Sequence, residues 1–192
     1  MQKNVERLVE DAVRGDARAF EILMETHESR MYAVALRMCQ NREDAQDCLQ
    51  EAMMRVYKAL PTFKGESSFS TWAYRITMNT CLDDLRRKKN KAASSLDALL
   101  DLGWSPADED NTPERKFSQK EAQREISRAI QSLPEDMRAA IVLRDIHGFS
   151  YEEIASMLSI NIGTIKSRIS RGREKLREIL SGSAELFGRD RV

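Results

Sequence analysis

Ser150-Tyr151-Glu152-Glu153-Ile154-Ala155-Ser156-Met157-Leu158, then Ser159-Ile160-Asn161, then Ile162-Gly163-Thr164-Ile165-Lys166-Ser167-Arg168-Ile169-Ser170-Arg171, is the stretch that decides how this chain is read. Ser150 and Glu153 stand three residues apart, the spacing of a capping box that fixes a helix start by satisfying two backbone donors reciprocally. Ile154, Ala155 and Leu158 then face inward at helical spacing, and the small Ala155 lets a second helix cross closely. Ser159 to Asn161 is a short turn, and a new helix opens at Ile162. In it, Ile162, Ile165, Ile169 and Leu176 are expected to point to the core. Thr164, Lys166, Ser167, Arg168, Ser170 and Arg171 are left outside near the N-terminal end. This is the pattern of a helix-turn-helix whose second helix lies in the major groove. Arg and Lys donate to guanine edges, while hydroxyls and further cations such as Arg173 hold phosphates. A solvated basic helix on a structural hairpin is the plain alternative. Capping box, turn length and a cationic N-terminal face together favour DNA.

Working outward, the rest of the pattern is also helical. Gly15 suits a helix stop, and Asp16 caps a long helix with Phe20, Leu23, Met24, His27, Met31, Val34, Ala35 and Met38 on one stripe. Asn41 caps the next, with Ala45, Cys48, Leu49, Ala52, Met53, Val56 and Tyr57 expected inward, and Pro61 ends it. The loop from Pro61 to Ser68 leads into a helix from about Phe69 to Lys89. Residues 92 to 114 read as a linker rich in Ser, Pro and acidic residues. Helices resume near Lys116 and break at Leu133-Pro134 and His147-Gly148. The expected fold is therefore all-α, with two small helical domains joined by a flexible acidic linker. The boundaries are 1–92, 93–115 for the linker, 116–182, and a tail of 183–192.

The 192 residues are 41% apolar and 32% charged, with a formal net charge of zero. The zero conceals blocks. Residues 75–91 hold Arg75, Arg86, Arg87, Lys88, Lys89 and Lys91 against Asp83 and Asp84. Residues 92–114 hold only acidic charges, whereas residues 166–177 hold Lys166, Arg168, Arg171, Arg173, Lys175 and Arg177 against Glu174 alone. Such blocks decide partners more than the sum does. The three cysteines, Cys39, Cys48 and Cys81, form no CxxC pair, and no Cys/His spacing resembles a zinc site. They read as free thiols of a reducing cytosol, and Cys81 as a buried inert thiol rather than a redox sensor. No leader or membrane-length apolar run is visible, so a soluble, cytoplasmic protein is expected. There is no phosphate loop and no acid–base constellation. No enzyme, cofactor, metal or small-molecule substrate is expected.

Three further stretches carry a resemblance. Residues Asn41-Arg42-Glu43-Asp44-Ala45-Gln46-Asp47-Cys48-Leu49-Gln50-Glu51-Ala52, then Phe63-Lys64-Gly65, then Phe69-Ser70-Thr71-Trp72-Ala73-Tyr74-Arg75-Ile76-Thr77-Met78-Asn79 resemble domain two of extracytoplasmic-function (ECF) sigma factors. Leu133-Pro134-Glu135 and the helix-turn-helix resemble their domain four. The resemblance spans nearly all of residues 5 to 180. It implies an alternative sigma factor that binds core RNA polymerase, recognises −35 and −10 promoter elements and promotes strand opening. It implies that Asp44, Asp47, Gln50 and Glu51 meet the polymerase. Phe63, Lys64, Tyr74, Arg75 and Asn79 are implied to capture a base of the −10 strand, with Arg86 and Arg87 on phosphates. The −35 element falls to Thr164, Lys166, Ser167, Arg168, Ser170, Arg171 and Arg173. A cognate anti-sigma factor, often membrane-anchored in the family, is an implied partner. Trp72 and His27 are read as core. The acidic linker is expected to enter a cationic channel of the polymerase. A conventional helix-turn-helix regulator is the alternative, but it would need a ligand pocket or a receiver-like α/β pattern, and neither is visible.

Overall fold

A computed structural model describes residues 2–39, 41–94 and 115–187. The chain divides into two compact units, Met1–Leu96 and Asp97–Val192. All regular structure among the described residues is helical.

Unit one holds α1 (Gln2–Val13), α2 (Ala17–Met38), α3 (Arg42–Ala59) and α4 (Phe69–Ser94). The local start signals act as the sequence indicates. The Asp16 carboxylate accepts the amides of Arg18 and Ala19, and the Asn41 side chain accepts that of Asp44, each satisfying N–H groups that have no partner inside the helix. Gly15 takes a left-handed φ of 98° between α1 and α2, a conformation nearly free of cost only for glycine. Pro61 sits in a 3-10 turn, Leu60–Thr62, that closes α3.

Helix α4 packs against both α2 and α3. Its buried surface is consequently wider than one stripe, taking in Phe69, Trp72, Ala73, Tyr74, Thr77, Met78, Thr80, Cys81 and Leu82. The expected end at Lys89 is exceeded by a full turn, and α4 carries past the expected boundary at 92. On α3, Tyr57 is not inward: it is 59% exposed and meets Phe20 edge-on at 5.0 Å. His27 and Trp72 are core, and the His27 Nδ1–H donates to the Leu23 carbonyl at 2.8 Å.

Unit two holds α5 (Arg115–Gln131), α6 (Glu135–Ile141) running into a π-helical turn (Val142–Ile146), α7 (Tyr151–Leu158) and α8 (Ile162–Phe187). Its core is Leu133, Ile141, Leu143, Ile154, Met157, Ile165 and Ile169. The buried Arg138 donates to the carbonyls of Gln131 and Leu133, tying α6 to the end of α5. The capping box is complete: the Glu153 amide donates to Ser150 Oγ, and the Ser150 amide donates to the Glu153 carboxylate. Ser159 adopts φ 55° in the turn. Residues 183–187, expected as tail, continue α8. The linker readings on residues 95–114 lie outside the described residues.

Candidate nucleic-acid and protein interfaces

The second helix of the helix-turn-helix, α8, starts where Asn161 accepts both the amide and the hydroxyl of Thr164, at 2.7 and 2.9 Å. Thr164 is thus part of the cap. Ile165, Ile169 and the buried Gly172 face the core. Lys166, Ser167, Ser170 and Arg171 are exposed together on the opposite side. Lys166 also leans over the Tyr151 ring at 5.9 Å. Two expected DNA contacts are engaged within unit two. Arg168 is half-buried and donates to Asp136 at 2.6 Å. Arg173 donates twice to Asp145, at 3.0 and 2.5 Å. Ile162 was expected in the core but is 38% exposed at the first position of α8. An exposed apolar group there can meet a thymine methyl, and the sequence reading missed it because an isoleucine at helical spacing looks like core.

In unit one, Asp47, Gln50 and Glu51 are exposed on α3. Asp44 shares their side but is half-buried and paired to Lys88 of α4. Glu51 pairs with Arg55 at 2.9 Å, and Arg55 reaches Asp83 of α4 at 3.0 Å. These side chains line a groove of about 560 Å³ between α3 and α4, shared by Asp44, Asp47, Cys48, Glu51, Asp83 and Asp84 with Arg55, Arg87 and Lys88. Burial pushes the Asp84 carboxyl up, but the hydrogen bonds and charges of Lys88 and Arg87 outweigh it and hold Asp84 below the usual carboxylate range. Burial likewise lowers Lys88, and Asp44 and Asp84 reverse it.

Arg87 lines the acidic groove, bonded to Asp84 at 2.6 Å, with its side chain still 70% exposed, and points away from Arg86. Arg86 is exposed. The reason is rotation: successive residues of a helix are about 100° apart, so a four-residue basic run cannot share one face.

The loop after the 3-10 turn is anchored by its aromatic residue. Phe63 lies 5.0 Å from Trp72 and 6.0 Å from Phe69, ring to ring, and Phe69 stacks edge-on against His27 at 5.2 Å. Lys64 is exposed beside Gly65, whose φ is 71°. Ser68 caps α4 by accepting the Thr71 amide at 3.1 Å. Arg75 and Asn79 follow one turn apart, half-buried and exposed respectively. Tyr74 departs from expectation: it is 4% exposed, because α4 is covered on two sides, and it is not available to a base in this conformation. Burial also raises its phenol pKa.

The three cysteines, separate in sequence, meet. Cys39 at the end of α2, Cys48 on α3 and Cys81 on α4 are all buried, with sulfurs within 4.8 Å of one another. The Cys39 thiol donates to the Cys48 sulfur at 3.6 Å. Hydrogen bonds from Cys39 and Cys81 lower the Cys48 pKa against burial, and the two donors are raised correspondingly.

Fold and surfaces together define a two-unit helical protein with a helix-turn-helix in one unit and an acidic groove in the other. The family model for Sigma-70 region 2 matches residues 23–91, and that for Sigma-70, region 4 matches residues 123–176. The RNA polymerase sigma-H factor of Pseudomonas aeruginosa is 37% identical over 183 residues, covering 93% of this chain and 95% of that one. The ECF RNA polymerase sigma-E factor of Escherichia coli K12 is 36% identical over 173 residues, covering 88% and 90%. Among solved structures, the sigma factor RpoE of Bartonella quintana, in complex with the anti-sigma factor NepR, has a TM-score of 0.69 at 25% identity, covering 91% of this chain and all of that one. CnrH, in complex with the cytosolic domain of CnrY, shares the fold with a TM-score of 0.65 at 24% identity, covering 91% and 96%.

The chain belongs to the ECF sigma factors of the sigma-70 family. It is an alternative sigma factor, a transcription-initiation factor and not an enzyme. No described helix is long and apolar enough to cross a membrane.

Proposed function

We propose that unit one docks on core RNA polymerase through Asp47, Gln50 and Glu51 and captures the −10 strand with Lys64, Arg75 and Asn79. In the same reading, α8 reads the −35 element with Ile162, Lys166, Ser167, Ser170 and Arg171, joined by Arg168 when it leaves Asp136. The observation that carries it is the clean division of α8 between a core face and an exposed polar, cationic N-terminal face. Asp44 supports the docking face indirectly, by fixing Lys88 and hence the α3–α4 spacing. Phe63 holds the loop on Trp72, leaving Lys64 and the backbone at Gly65 free to approach DNA. Melting requires no chemistry: unpairing a base costs a few kcal/mol, which contacts to the extruded strand offset. The protein works in the cytoplasm, where polymerase and promoter are. An anti-sigma factor is a further partner in this reading, as the related RpoE of Bartonella quintana is held by the anti-sigma factor NepR.

Replacing Asp47 and Glu51 together by Lys tests the docking face. The variant should keep its helical circular dichroism and co-elute with core polymerase far less than wild type in gel filtration. Undiminished co-elution would remove this face from the reading.

A further inference from the structure

We propose that Cys39, Cys48 and Cys81 form a three-thiolate site for a thiophilic metal ion, Zn²⁺ or Cu⁺, in the core of unit one. All three cysteines of the chain converge, from the end of α2, from α3 and from α4, although Cys81 lies 33 residues beyond Cys48 in sequence. Their sulfurs lie within 4.8 Å of one another, and Cys39 and Cys48 are 3.6 Å apart. A zinc–sulfur bond of about 2.3 Å puts three sulfurs around one ion roughly 3.8–4.0 Å apart, so the trio needs only sub-ångström adjustment. A donor set of thiolates alone selects soft and borderline ions over Mg²⁺ or Ca²⁺.

Access is also on the page. Cys39 and Cys81 are sealed, whereas Cys48 lines the α3–α4 groove. In that groove Asp44, Asp47, Glu51, Asp83 and Asp84 outnumber Arg55, Arg87 and Lys88, so cations concentrate there. On binding, each S–H gives its proton to solvent as its sulfur bonds the ion. Three thiolates around Zn²⁺ leave one net negative charge, and Lys88, in the groove that Cys48 lines, is the cation placed to share it against the neighbouring Asp84. A fourth zinc ligand, water or a groove carboxylate, can enter from the same side. Bound metal would tie α2, α3 and α4 together directly beneath the proposed polymerase-docking face.

The plain alternative is that three thiols simply pack as small apolar groups. Untagged full-length chain, stripped by chelator and kept reduced, separates the two. Titration with Zn²⁺, with Cd²⁺ as a spectroscopic probe, and with Cu⁺ held by a competing ligand should each saturate at one ion per chain. Zn²⁺ should raise the melting temperature and release protons, and Cd²⁺ should give a sulfur-to-metal charge-transfer band. Cys48→Ser should lose the band and the thermal shift while retaining helical circular dichroism. X-ray absorption on the wild type needs no variant, and should show three sulfur neighbours at about 2.3 Å from zinc. No band and no thermal shift in reduced wild type would overturn the proposal. So would a band that persists in Cys48→Ser, or a zinc shell of oxygen and nitrogen only.

Discussion

Arg168 shows how one side chain can be claimed by two roles. In the free chain it pairs with Asp136 at 2.6 Å, on a surface where ion pairs contribute at most about 1 kcal/mol. A guanidinium reading a guanine is worth about 1–3 kcal/mol of discrimination, so DNA can outbid the carboxylate. Arg168→Ala should then cost roughly 1–3 kcal/mol on a −35 duplex and relax preference at one or two base pairs, while Asp136→Ala, which frees Arg168, should leave affinity unchanged or raised. Equal losses from both substitutions, without any change in base preference, would make the pair purely structural. Asn79 is an exposed amide in mid-helix, where its propensity is poor. In holoenzyme, Asn79→Ala should slow open-complex formation on duplex promoter and be partly rescued by a pre-melted −10 bubble. Equal rates for mutant and wild type on the duplex would place strand capture elsewhere.

At the scale of elements, what was legible in the sequence is what is local. Asp16, Asn41 and Ser150 each bond amides two or three residues away, and a reader of the chain sees cap and partner together. The misplacements arise where tertiary packing decides. Periodicity put Tyr57 and Ile162 inside, but one stands on the outer flank of α3 and the other at the first residue of α8. Tyr74 went the other way, because α4 is covered by two helices and has a broad buried face. Ion pairs such as Arg55–Asp83 and Arg173–Asp145, 28 residues apart, and the meeting of the cysteines have no sequence signature. Gly172 tests the packing of the helix-turn-helix. A Cβ there would stand 2.9 Å from Ile141 Cγ1 and 3.2 Å from Cδ1. Ala in a helix gains up to about 1 kcal/mol over Gly, and overpacking a buried branched side chain costs about 1–3 kcal/mol. Gly172→Ala should therefore lower the stability of unit two by about 1 kcal/mol in urea unfolding and weaken −35 binding. A more stable variant would show that α6 and α8 have room to separate.

For the whole molecule, zero net charge conceals separated blocks: basic residues cluster at 75–91 and again at 166–177, and only acidic charges lie at 92–114. In the proposed reading, carboxylates of α3 meet the polymerase and the basic block of α8 meets DNA, from different units. The two units must act together, because a sigma factor must hold polymerase and promoter at once. The most direct measurement is run-off transcription by core polymerase on a random promoter library, with and without this chain, mapping every start site. The chain should concentrate initiation at discrete starts that share paired upstream elements, and the Asp47→Lys, Glu51→Lys variant should abolish that concentration. A start-site distribution unchanged from that of core polymerase alone would contradict the account.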